Sequence, residues 1–160
     1  MRAAALPVHT PAMTLEHLRL RNTQELMEQV AARTTLDEDS VTFVLIDRPA
    51  TRQRILAVRR LEVPAAQDDW DSLRDLVHDE MQQLPVPRRT KDTCSIVVTI
   101  IGRRGFNVWT RTEKNWAMAW RYSNHFTDAF DEDIIVVTEH GWASLQSHAA
   151  GHDPRLVDAA

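Results

Sequence analysis

Cysteine is almost missing from this chain, with Cys94 the only one in 160 residues. An intrachain disulfide and a cysteine-built zinc cluster are therefore excluded, and a reducing, cytoplasmic setting is expected. No apolar run approaches the roughly 20 residues that span a bilayer, so no membrane partner is expected. The opening Met1-Arg-Ala-Ala-Ala-Leu-Pro-Val8 has one charge and too short an apolar stretch for a secretory leader. Glycine is scarce as well, at four residues. The segment Gly102-Arg-Arg-Gly105 has too few glycines, and no following Lys-Ser/Thr, to cradle a phosphate chain. Strong positive charge is absent too, and a net charge of −4 argues against a dedicated duplex-DNA binder.

What is present fits one globular domain, with 43% apolar and 26% charged residues. Lys91 and Lys114 are the only lysines among 19 cations. Arginines cluster at Arg52, Arg54, Arg59 and Arg60, at Arg88 and Arg89, and at Arg103, Arg104 and Arg111. A GC-rich coding sequence explains that bias more simply than a functional patch does.

Hydrophobic periodicity supplies the architecture. Thr23 is placed to cap a helix through Arg33, in which Leu26 and Val30 share a face. Val41–Ile46 reads as a central strand, and Arg54–Val58 returns beside it as an antiparallel hairpin. In Gln67–Leu84 the residues Trp70, Leu73, Val77, Met81 and Leu84 step by three and four, the clearest helical face in the chain. Asp68 or Asp69 caps that helix, and Pro85 and Pro87 stop it. Then come a buried strand at Ser95–Ile101, an aromatic-rich helix at Thr112–Asn124 and a second apolar strand at Ile134–Val137. Strand, helix and strand within about fifty residues is the spacing of a crossover unit. The expected fold is a single α/β domain over 14–147 with a mixed sheet of about four to five strands. Its strands are 41–47, 53–60, 95–101 and 134–138, with helices near 23–34, 68–84 and 112–124 packed on them. Residues 1–13 read as a flexible lead-in and 148–160 as a loose tail.

Candidate chemistry is sparse. Trp109, Trp116, Trp120 and Trp142 would suit either a stacking platform or core filling between helix and sheet. Helical spacing assigns Trp116 and Trp120 to the core and leaves Trp109 and Trp142 as loop candidates for ligand contact. His125 and Asp128 lie three apart, the spacing of a general base with its orienter or of two metal ligands. Glu139 and His140 follow a strand, where open α/β sheets place ligands. If both pairs met, the four would form a catalytic site. The plainer roles are a helix-end cap and a surface strand-end histidine. His148 and His152 have ligand spacing on a helix, but Gly151 and Pro154 argue against a helix there. Ser95, Ser123 and Cys94 lack a nucleophile's setting. Arg103 and Arg104 are placed to touch an anion at the start of the following helix.

The order of elements over roughly residues 23–145 resembles the JAB/MPN metalloprotease fold, especially its bacterial RadC-type members. Those run helix, hairpin, helix, strand, metal loop, helix, strand. The family's zinc motif is His-x-His-Pro, six residues, then Ser-x-x-Asp. Thr110 falls on the motif serine and Glu113 on its aspartate, which puts Ile100 and Gly102 where both histidines belong. A zinc site built from two imidazoles and a carboxylate does not survive that loss. The zinc deaminases share the broad layout, but their His-x-Glu and Pro-Cys-x-x-Cys ligands are absent here. The resemblance thus implies a pseudoenzyme or binding module for a protein or small molecule, with no cofactor and no metal. Two other readings stay open: a small metal-dependent or acid–base hydrolase using His125, Asp128, Glu139 and His140, and a nucleic-acid binder using the arginine clusters and loop tryptophans.

Overall fold

Two strands, β1 (Ser40–Asp47) and β3 (Ser95–Gly102), are buried along their whole length. Each has a strand on either side and helical or loop cover on both faces, so apolar residues occur at nearly every position instead of alternating. The structure, a computed structural model, describes residues 15–64 and 67–157. The lead-in expected over 1–13 and the end of the expected tail, 158–160, lie outside the described residues.

The sheet is mixed and open, with six strands. β2 (Arg54–Leu61), β4 (Ala129–Thr138), β5 (Gly141–Ser144) and β6 (Ala150–Gly151) complete the order β2-β1-β3-β4-β5-β6. β1 is antiparallel to both β2 and β3, whereas β3 and β4 run parallel. The crossover between β3 and β4 is made by α3 (Arg111–Tyr122), as strand–helix–strand spacing requires. Two further helices, α1 (Thr23–Ala31) and α2 (Trp70–Gln83), precede β1 and β3.

Strand periodicity sorts the core into two halves. On one face Val41, Phe43, Leu45, Val97, Ile101 and Val136 meet Leu73, Val77 and Met81 of α2 and Trp116, Ala119 and Trp120 of α3. Phe43 stands edge-on to Trp116 at 6.0 Å between ring centroids, and such a pair adds about 0.5–1.5 kcal/mol beyond its burial. The Trp120 indole donates to Thr99 Oγ1 at 2.7 Å, which satisfies both polar groups inside the core. On the opposite face Val44, Ile46, Ile96, Val98, Ile100 and Ile135 meet Leu26, Met27 and Val30 of α1.

The sheet exceeds the expected four to five strands on one side. β5 and β6 are too short to carry a periodic signal. Gly141 links β4 to β5 at φ +118, and a Cβ there would lie 2.1 Å from the Gly151 carbonyl oxygen. Residues 148–157, read from sequence as the start of a loose tail, carry β6 and then return to the core. There Leu156 is buried and donates to the Thr138 carbonyl, while Val157 donates to that of Leu36. β4 also starts five residues before Ile134, through Asp131-Glu-Asp133. Those acids are tolerated because β5 pairs only with Ile135–Thr138, leaving the first half of β4 as an edge. The cap of α1 is Asn22, not Thr23, its side chain accepting from Glu25 N at 3.0 Å.

The arginines of β2 are dispersed into ion pairs with the chain's own acids. Arg54 meets Asp47 at 3.3 Å, Arg59 meets Glu80, and Arg60 meets Asp37 at 2.5 Å. Charge along this edge also discourages strand-to-strand association between molecules.

Candidate functional site

The four residues proposed as one catalytic set flank opposite ends of β4. His125 and Asp128 precede its first residue, and Glu139 and His140 follow its last. A ten-residue strand at about 3.3 Å per residue separates the pairs by roughly 30 Å. They do not converge, and the two members of the first pair do not bond to each other. Asp128 accepts from the Arg89 amide at 3.0 Å and so fixes the link into β3. His125 Nδ1 lies 2.7 Å from the Thr127 hydroxyl, its ring edge-on to Trp120. Burial pushes the pKa of His125 below its usual value, with Asp131 opposing. Glu139 accepts from the Gly105 amide at 3.1 Å, and His140 is an exposed neighbour 3.7 Å away.

Beyond the C-terminal ends of β3 and β4 the sequence forms a tightly organised loop, residues 103–109. The Arg103 guanidinium lies at its centre. Nε donates to Glu113 Oε1 at 2.6 Å, Nη1 to the carbonyls of Arg104 and Phe106, and Nη2 to the carbonyl of Val108 at 2.7 Å and to Glu113. Every N–H of the group is thus engaged within the chain, and Arg103 has none left for the anion contact expected of it. Glu113 is fully buried and closes a capping box on α3, accepting from the Thr110 amide at 2.7 Å and the Thr110 hydroxyl at 2.5 Å. Burial alone would raise the pKa of this carboxyl. The bonds from Arg103 and Thr110 outweigh it and hold the group below its ordinary value.

Held in this way, the loop turns large apolar side chains outward: Phe106 is 77% exposed, Val108 56% and Trp109 39%. Arg104 pairs with Glu38 at 2.8 Å on its flank, and Arg111 lies 3.4 Å from Asp68. Trp142, the other loop candidate, is buried in β5 with its indole donating to the Asp153 carbonyl at 3.1 Å. It belongs to the core, as Trp116 and Trp120 do. The positions where the resemblance places histidines are closed. Ile100 is buried against α1, and a Cβ on Gly102 would sit 2.1 Å from the Asp37 carbonyl oxygen.

A second polar cluster lies at the other end of β4, where periodicity gave no warning. Val97 pairs with Asp131 and Val98 with Asp133, so Glu132 is an inserted, unpaired bulge residue. The insertion resets the alternation: Phe130 and Ile135 pack on the same face although five residues apart. Glu132 and Asp133 consequently both line a cleft of about 340 Å³, together with Arg19, Thr23, Gln146 and Ser147. Asp133 accepts from Ser144 Oγ at 2.5 Å, and Ser144 Oγ lies 2.5 Å from Ser147 Oγ. Burial first, then Asp133 and Asp131, push the Glu132 pKa up to about 7, with Arg19 opposing. Burial also raises Asp133 against the bonds from Ser144 and Gln146. The one sequence signal for this cluster was three consecutive acids directly before an apolar strand.

Among the described residues no three His, Cys, Asp or Glu side chains are grouped to hold a metal. His148 has φ +61 and lies outside any helix, so its spacing to His152 carries no ligand geometry. Burial raises the Cys94 thiol pKa, the opposite of what a nucleophile needs. No helix among the described residues is long and apolar enough to cross a membrane. No protein-family model matches the chain, and no curated protein matches it.

Proposed function

We propose that this chain is a non-catalytic interaction domain, a degenerate relative of the JAB/MPN group whose former metal loop now docks a protein partner. One observation carries the reading. Glu113, which stands where the resemblance puts a zinc-binding carboxylate, is buried with both oxygens already bonded to Arg103 and Thr110. The element order helix, hairpin, helix, strand, loop, helix, strand agrees with the order the resemblance implies.

The loop suits docking because its backbone is fixed in advance by Arg103, so little ordering entropy is lost on binding. Phe106 and Trp109 are the anchor types that dominate protein interfaces. The flanking Arg104 and Arg111 are offset by Glu38 and Asp68, so the apolar side chains carry the contact, which favours a partner with an apolar pocket. Two measurements test the reading. Purified protein should carry no stoichiometric zinc, and a chelator should leave its Tm unchanged; one equivalent of zinc would overturn the degenerate-site part. Peptides selected from a displayed library should bind the native chain and lose about tenfold or more on Trp109→Ala. Equal binding to that variant would overturn the docking part.

The cleft beside Glu132 favours a second reading, acid–base chemistry, because a carboxyl titrating near neutrality is poised to exchange a proton. Hydrolysis of a model ester that disappears in Glu132→Gln would support it, and identical rates in both proteins would dismiss it.

A further inference from the structure

A third feature, independent of the docking loop, lies at the opposite end of the sheet, between the β1–β2 turn and the link that enters β3. A cleft of about 230 Å³ opens there. Arg48 and Lys91 line it, His17 adds a titratable imidazole, and Asp92 on the same wall subtracts one charge. Ala50 and the thiol of Cys94 give it an apolar side.

Arg48 is the informative residue. Its backbone is locked, since its amide donates to the Cys94 carbonyl at 2.8 Å and its own carbonyl accepts from the amides of Thr51, Arg52 and Gln53. It is held at φ +48, a region that side chains other than glycine seldom adopt. The side chain therefore leaves from a fixed backbone base. Its Nε is buried and meets no hydrogen-bond acceptor among the described residues. Asp47 Oδ2, the nearest carboxylate oxygen paired with it, is 3.9 Å away, beyond hydrogen-bond reach. The Nε itself is too buried for a ligand to touch, but the side chain as a whole is 33% exposed, so the outer guanidinium N–H groups are the donors that an oxyanion in the cleft can reach. The Thr93 hydroxyl is already engaged with Thr90 and shapes the link, while the Thr51 hydroxyl stands on the exposed turn.

We propose that this cleft binds a small organic oxyanion, a carboxylate or phosphate head on a short apolar body, with Arg48 as the specific ligand and Lys91 as a second cation. The head group meets the outer N–H groups of the Arg48 guanidinium, and the body lies against Ala50 and Cys94. The volume limits the ligand to a few heavy atoms beyond its head.

The test is amide NMR on the whole chain at constant ionic strength, with acetate, butyrate, inorganic phosphate and the neutral butyramide as probes. Saturable shifts of Thr51, Lys91 and Thr93 with butyrate or phosphate are expected, and none with butyramide. Butyrate binding more tightly than acetate identifies the apolar body, and phosphate binding more tightly than acetate identifies the head. Arg48→Met should weaken binding roughly tenfold or more, and Lys91→Met, on an exposed link where folding is not at stake, should weaken it less. Linear shifts that sodium chloride reproduces, equal response to butyramide, or unchanged affinity in a folded Lys91→Met protein and in Arg48→Met would overturn the proposal.

Discussion

Glu113, on helix α3, and Glu132, on strand β4, are two carboxyls drawn out of water, and they shift in opposite directions. Glu113 is the more deeply buried yet remains an anion, because Arg103 and the Thr110 cap supply directed donors that outweigh desolvation. Glu132 is only half withdrawn yet is pushed up to about 7, because burial is reinforced by Asp133 and Asp131, no directed donor among the described residues offsets it and only Arg19 opposes. Depth of burial therefore does not decide whether a carboxylate stays charged here; the supply of donors does. The satisfied carboxylate has become a fixture that shapes a loop. The unsatisfied one is left poised to exchange a proton.

The largest effect should come from removing the donor at the satisfied end. Arg103→Met leaves Glu113 buried without its counter-charge and should cost about 3–5 kcal/mol in chemical denaturation. The contrast would collapse if that variant were as stable as the native chain. Next is the Asp133 shell: Ser144→Ala removes a buried bond and should cost about 1–3 kcal/mol.

A smaller effect, of opposite sign, is expected at Glu132. Its folded pKa lies above the unfolded value of 4.5, so the protonated form is favoured in the fold and stability falls as pH rises from about 4.5 through about 7. Because the group is half exposed, solvent screening reduces the effect to about 1 kcal/mol. Glu132→Gln should accordingly be more stable than the native chain at pH 8 and no different near pH 4. For Glu113 the sign reverses. Its folded pKa is depressed, so its contribution is present above the ordinary glutamate value and is lost as pH falls through the lowered one. Arg103→Met should therefore flatten the acid limb of the native stability curve. Smallest of all is the outer loop surface, where Trp109→Ala should change stability by less than about 0.5 kcal/mol while weakening docking about tenfold or more. A large loss of stability there would mean that Trp109 holds the loop instead of displaying it.

These contrasts also mark what the sequence could reveal. β1 and β3 were readable because strands buried on both faces must be apolar throughout, and α2 because Leu73, Val77 and Met81 keep one helical face. The first half of β4 was not readable. Asp131-Glu-Asp133 has the composition of a break, and only its position as a local edge makes it strand. The Glu132 bulge is a single inserted residue with no compositional mark. β5 and β6 are stabilised by Gly141, Gly151 and Trp142 fitting together, a tertiary fact that no window of neighbouring residues contains. At the candidate site the residue types were visible but their partners were not. Arg103 finds Glu113 across ten positions of loop and helix, whereas His125 and Glu139, both plausible by type, are held apart by the length of β4.

Carboxyl ¹³C NMR titration of Glu113 and Glu132 in one sample tests the central claim most directly. Glu113 should titrate below the ordinary glutamate range and be unmoved by added zinc, while Glu132 should titrate near 7. A Glu113 resonance that titrates at or above the ordinary value, or that shifts with one equivalent of zinc, would contradict a carboxylate held by Arg103 and return the loop to metal chemistry.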